Sequence, residues 1–286
     1  RLMRNTLRVG KIIKMKNILE APFIKEVMLL TDVMYKFGWH ERNSGNLSYL
    51  LKEEELTEYL DLNEVKRNIP IAFDGKALAG KYFLVTGTGK FFKNVIHDPA
   101  DVLGILKVTA EGNSVDLLWG YENGAAPTSE LPAHLMSHIA RLSVDPENRV
   151  VYHCHATNLL AMSFSCELDE RSFTRILWKM CTESLVVFPE GVGILPWLMP
   201  GTNEIGEATA EKMKEYRLIV WPHHGLYAAG KDLEECFGLV ETAEKSATVY
   251  TLVQSQGGIR QEITDEQLSN LGKRFSVTPR AGYLNI

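Results

Sequence analysis

Residues Val150–Asn158 read VVYHCHATN. Valine and tyrosine suit a pleated, half-buried surface, so the segment predicts a strand, on which residues i and i+2 face the same side. His153 and His155 then point together, with Cα atoms about 7 Å apart at a rise of roughly 3.3 Å per residue, while Cys154 points to the opposite face. Two imidazoles so placed can converge on one cation through metal–nitrogen bonds of about 2.0–2.1 Å. The plainer alternative is a pair of half-buried histidines satisfied by local hydrogen bonds.

A third ligand must come from elsewhere. A second apolar strand, Leu218–Trp221, runs into WPHHG and offers His223 and His224; adjacent residues diverge, so one of the two can join. His134 and His138 compete as a pair at helical i, i+4 spacing, which also suits zinc, although the HExxH pattern is missing. Three histidines with an open fourth position would form a Lewis acid, for which zinc is the default cation.

Around this centre the chain alternates helices and strands. Phe23, Val27, Leu30, Met34 and Phe37 mark a helix closed by Gly38. KYFLVT, Lys81–Thr86, is a strand, and Ile105–Ala110 and Val115–Trp119 flank EGNS as a hairpin. A helix starts at Asp98-Pro99, another follows Pro127-Thr128-Ser129 to about Leu142, and Leu185–Phe188 is a further strand. Asp232-x-x-Glu235 and Thr264-x-x-Gln267 read as capping boxes opening two C-terminal helices. Without a dividing linker, the expectation is one α/β domain over residues 15–286, its mixed central sheet covered by helices on both faces. Residues 1–14 carry basic residues and no acid before Met15, and are expected to be an upstream leader without fixed structure.

Three loops can hold an anion. NSGN, Asn43–Asn46, offers amides and a turn at Gly45; TGTGK, Thr86–Lys90, offers hydroxyls and backbone amides; Thr128 and Ser129 lie at a helix start, where unpaired amides favour negative charge. TGTGK is neither a P-loop nor a dinucleotide fingerprint, since the spacing fails and Phe92 replaces the third glycine. Together they suggest a small phosphorylated substrate. Glu130 follows directly, either as first-turn dipole compensation or as an acid/base group whose pKa burial would raise.

Composition narrows the class. With 286 residues, 45% of them hydrophobic and 23% charged, the chain is an ordinary globular one. A net charge of −5 argues against nucleic acid as a partner. Four cysteines, with no CxxC pair, read as free thiols of a cytoplasmic protein. The longest apolar run, Ser184–Pro200, is broken by Pro189, Glu190 and Pro196, so no membrane span is expected.

The strings ERNSGNL, VTGTGKFF, PTSELPAH, HCHATN, CTESLVVFPEGVGILPW, PGTNEIG and WPHHG, in that order over nearly the whole chain from about residue 25, resemble the rhamnulose-1-phosphate aldolases of the class II aldolase/adducin-like family. The group also includes fuculose-phosphate aldolase and ribulose-phosphate 4-epimerase. The resemblance implies one Zn2+ per subunit on His153, His155 and His224, which chooses His224 over His223 and sets His134 and His138 aside. It implies phosphate contacts from Asn43, Gly45, Asn46, Thr88, Thr128 and Ser129, with Thr88 where serine is usual and Ser44 where glycine is also found. Glu130 takes an acid/base role, and Glu183 is a second catalytic carboxylate reached across a subunit boundary of a homotetramer. The implied reaction is retro-aldol cleavage of a ketose 1-phosphate, its carbonyl and neighbouring hydroxyl chelating the ion. Lys90 and Lys107 are the lysines a Schiff-base route would draw on, but nothing marks either as desolvated. A non-catalytic, adducin-like assembly module is the remaining alternative; it would have no need of all three histidines and Glu130 together.

Overall fold

The structure, a computed structural model, describes residues 14–286; the leader expected at residues 1–14 lies outside the described residues except for Lys14. The described residues form one sheet of nine strands: β1 (Asn46–Leu51), β2 (Arg67–Pro70), β3 (Tyr82–Thr86), β4 (Leu103–Val108), β5 (Ser114–Gly120), β6 (Val150–Cys154), β7 (Gly193–Ile194), β8 (Leu218–Trp221) and β9 (Gly225–Gly230). Their order is β2-β5-β4-β3-β1-β6-β9-β8-β7. Neighbours are antiparallel except β7 and β8, which are parallel, so the sheet is mixed.

Period-two alternation splits the core. On β6, Val150, Tyr152 and Cys154 pack with Phe23 and Val27 of helix Pro22–Lys36, Leu177 of helix Glu170–Met180 and Val240 of helix Leu233–Ser255. Val151 turns the other way, towards Ala133 and Ala140 of helix Leu131–Val144 and Met213 of helix Asn203–Met213. Helices therefore cover both faces, as the alternation of elements in the sequence implies. No helix among the described residues is long and apolar enough to cross a membrane.

Register then sets the site. Asn46 of β1 pairs with His153 of β6, and His153 pairs with Tyr227 of β9. Directly opposed residues on antiparallel strands share a face, so Asn46, His153 and Tyr227 stand in one row across three central strands.

Three expectations change. Leu185–Phe188 is not a strand: helix Thr182–Val187 occupies that run, with Leu185 fully buried against neighbouring helices. A short apolar run has no decisive period, and tertiary packing overrides the β propensity of its valines. Asp98-Pro99 opens only the single turn Pro99–Val102, which passes straight into β4. The helix expected after Pro127-Thr128-Ser129 is found at Leu131–Val144, with Glu130 at the N-cap position. Of the two capping boxes, that at Thr264 and Gln267 is complete; Asp232 accepts from the Glu235 amide, but the Glu235 carboxylate accepts from Lys231 instead.

Candidate metal centre and acid–base site

β6 presents His153 and, just past its end, His155 to one face, and the turn between β8 and β9 supplies His224. One nitrogen from each ring lies within 4.8 Å of the others. A tetrahedral ion with bonds of about 2.0–2.1 Å asks for nitrogens roughly 3.4 Å apart, a spacing within the bound this set obeys. His153 donates from Nδ1 to the Leu226 carbonyl at 2.8 Å, and His155 donates from Nδ1 to Glu41 Oε1 at 2.6 Å. Each leaves Nε2 bare, the nitrogen a cation needs, with an outer acceptor fixing the tautomer. Burial holds the His153 imidazole below its ordinary value, and burial with the neighbouring His153 brings His224 down to about 4. Both are then neutral, the form that ligates.

His223 is turned away. Its backbone sits in the left-handed region at φ 63°, its ring packs 4.1 Å from that of Phe164, and its Nδ1 lies 3.4 Å from Ser163 Oγ. Gly225 lets β9 start close to β6: a Cβ there would come within 2.4 Å of the Cys154 carbonyl oxygen and 2.9 Å of the His155 ring. His134 and His138 stand apart from the cluster, both bonded to Ser48 Oγ, and burial pushes each down to about 3.

Glu130 is buried on the cavity wall, with Oε2 3.7 Å from His153 Nε2. That oxygen accepts from the Tyr227 hydroxyl at 2.6 Å and the Asn46 amide at 2.9 Å. The expectation of a raised carboxyl pKa is corrected here. Burial does push it up, but the pull of a charged His153 ring and the donors from Tyr227 and Asn46 work against burial; with His153 neutral the two donors remain to hold the carboxyl below its ordinary value, so Glu130 rests as an anion.

The cavity is small, about 160 Å³. Its wall joins the histidine triad and Glu130 to Asn43, Gly45 and Asn46 of the first loop, Thr88 of the second, and Thr128 and Ser129. Gly45 is required twice over: its φ is +76°, and a Cβ would fall 2.2 Å from His40 Nδ1. Ser44 also lines the cavity, and its buried hydroxyl has no hydrogen-bond partner. A roomier groove of about 640 Å³ runs beside the β4–β5 hairpin past Lys107 and Glu111, but no ligand triad falls there among the described residues.

Glu183 is exposed on helix Thr182–Val187, where it accepts from the Cys181 thiol, outside the cavity lining. Lys90 is ion-paired with Asp101 at 2.6 Å and Lys107 lies over the Tyr82 ring, so neither faces this cavity. Two residues the sequence reading passed over, Glu41 and Tyr227, touch the site directly. Glu41 sits in the quoted ERNSGNL string, but its pairing with a histidine 114 positions away has no local signature. Tyr227 is one residue type among many on a buried strand, and only the register sets it opposite His153.

The fold and the site together define a class. The family described as Class II Aldolase and Adducin N-terminal domain matches residues 25–251, and the chain belongs to it. Among particular relatives, the rhamnulose-1-phosphate aldolase of Listeria monocytogenes serotype 4a (strain HCC23) is 68% identical over 270 residues, 94% of this chain and 99% of that protein. The rhamnulose-1-phosphate aldolase of Enterococcus faecalis (strain ATCC 700802 / V583) is 62% identical over 268 residues, 94% of this chain and 96% of that protein. Among solved structures, a sugar-phosphate aldolase from Thermotoga maritima superposes with a TM-score of 0.72 at 32% identity, covering 82% of this chain and 96% of that one.

Proposed function

We propose that this chain is a zinc-dependent aldehyde-lyase that cleaves L-rhamnulose 1-phosphate to dihydroxyacetone phosphate and L-lactaldehyde, in the cytoplasm, as a step of rhamnose catabolism. The observation that carries the reading is the triad of His153, His155 and His224 with bare ring nitrogens, set beside the ionised Glu130 in one polar cavity. The likeness to rhamnulose-1-phosphate aldolases over nearly the whole chain supplies the substrate.

A cation held by the three imidazoles would polarise the ketose carbonyl and offset the charge left when the C3–C4 bond breaks. The remaining work falls to side chains. Glu130, an anion with Oε1 unclaimed by any bond among the described residues, is ready to accept the C4 hydroxyl proton or to relay one to C3. The phosphate is taken by neutral donors around Gly45: Asn43, the unpartnered Ser44 hydroxyl, Thr88, Thr128 and Ser129. Asn46 contributes there only in part, since its amide nitrogen already donates to Glu130. Glu183 acts from a second copy in a homotetramer, because its own helix leaves it outside the cavity lining.

Rhamnulose, fuculose and ribulose phosphates assayed side by side test the substrate; preferred turnover of either of the last two would move the chain to a sibling aldolase or an epimerase. Glu130→Gln should retain metal and lower turnover roughly 100- to 10,000-fold, the usual contribution of general acid–base catalysis. Mixed oligomers of Glu130→Gln and Glu183→Gln subunits should regain activity that neither variant shows alone, and no recovery would remove the cross-subunit role. Oligomers that hold no metal and cleave nothing would point to an assembly module.

A further inference from the structure

Glu130 and Asn46 belong to a larger group of buried polar side chains whose other members have no part in the scheme above. Glu130, His134 and His138 recur at i, i+4, i+8 along one face of helix Leu131–Val144 and its N-cap, and Asn46 and Ser48 share one face of β1. They interlock. Ser48 Oγ lies 2.8 Å from His138 Nε2 and 2.7 Å from His134 Nδ1; His134 Nε2 meets Asn46 Oδ1; Asn46 Nδ2 lies 2.9 Å from Glu130 Oε2, which also receives the Tyr227 hydroxyl at 2.6 Å. All six residues are at least nine-tenths buried.

The direction of every bond follows from its end. Asn46 turns its amide nitrogen, which can only donate, to Glu130 and so presents Oδ1, which can only accept, to His134. His134 must then donate from Nε2 and accept at Nδ1 from the Ser48 hydroxyl, which leaves Ser48 oxygen to accept from His138 Nε2. His138 Nδ1 is left bare, and it is indeed a buried nitrogen without a partner. Both imidazoles are neutral, as this assignment requires. The donors therefore run one way, from His138 to Glu130, and both chains of donors end on Oε2.

We propose that Tyr227 and the relay His138–Ser48–His134–Asn46 are positioning residues for the reaction: by claiming Oε2 of Glu130 from two sides they fix the carboxylate's rotation and present Oε1 to the substrate. This rests on the reading of Glu130 as the acid/base group. Removing one donor frees the carboxylate to rotate without emptying the histidine triad.

Tyr227→Phe, which keeps the ring stacked on His153, is the primary test. A hydrogen bond to a charged group corresponds to roughly a 10- to 100-fold change in rate, so kcat should fall by that factor while KM and bound zinc stay near wild type. In a Glu130→Gln background the same substitution should cost almost nothing, because no working carboxylate remains to be oriented. His134→Leu should lower kcat similarly, and His134→Gln, which restores a donor near the Nε2 position, should recover at least about tenfold of that loss. Unchanged kcat in Tyr227→Phe, an equal loss in the Glu130→Gln background, or zinc content falling in step with kcat would each overturn the relay. If Glu130→Gln itself leaves cleavage intact, the acid/base reading has failed; if it abolishes cleavage while Tyr227→Phe does not slow the parent, only the positioning role has.

Discussion

Two histidine pairs in this chain carry spacings compatible with a metal, and among the described residues only one of them meets a third imidazole. His153 and His155, i and i+2 on a strand, each donate one ring nitrogen to an outer acceptor and leave the other bare beside His224. His134 and His138, i and i+4 on a helix, spend their inward nitrogens on Ser48 and Asn46 inside a closed relay. Spacing alone admitted both pairs, with the missing HExxH pattern counting against the helical one; the difference lies in what the rings are bonded to and in whether a third imidazole arrives from another segment.

The largest expected effect breaks that comparison outright. His224→Ala should lose bound zinc and cleavage together, because two imidazoles remain where a closed set of three is needed, whereas His223→Ala should keep both. Elemental analysis of the two purified variants decides it, and the reverse pattern would transfer the ligand role to His223. A smaller effect sharpens it. Glu41→Gln weakens the acceptor that orients His155, and the loss of such an outer partner typically costs 10- to 100-fold in metal affinity. Competition against a chelator measures this, and unchanged affinity would make the Glu41 contact incidental.

The smallest effect lies away from both pairs and serves as their control. Asp265 receives both Arg175 nitrogens at 2.9 and 3.1 Å and the Asn285 amide at 2.6 Å, pinning the C-terminal residues. The Arg175 bonds hold its carboxyl well below the ordinary value of 3.8. A depressed carboxyl contributes stability that is fully present above its ordinary value and is lost as pH falls toward the depressed one. Asp265→Asn should therefore lower Tm at neutral pH by a few degrees, for about 1 kcal/mol of partly screened ion pairing. The gap to wild type should narrow once pH drops below 3.8, with zinc content at neutral pH the same in both proteins; a gap that widens in acid would reverse the sign argued here.

Much of the fold was legible because its signals are local. Val150–Cys154 and Leu218–Trp221 are apolar runs of strand length, Thr264 and Gln267 close a reciprocal cap three residues apart, and the β4–β5 hairpin announces itself at its turn. Leu185 misled because a buried helix of six residues and a buried strand present the same apolar run. At the site, His153 and His155 were legible from the strand period alone, but the choice of His224 came from resemblance, and its physical cause, the left-handed backbone at His223, is a property of a turn. The resting charge of Glu130 could not be read from its neighbours in sequence: the donors that hold it down, Tyr227 and Asn46, come from two different strands and meet only through register.

The most direct test of the central claim is a rhamnulose 1-phosphate cleavage assay on protein stripped of metal by a chelator, with zinc content measured on the same sample before and after adding zinc back. The account expects cleavage to vanish with the metal and to return in proportion to zinc bound, up to one ion per chain. Full cleavage by a metal-free preparation would contradict it.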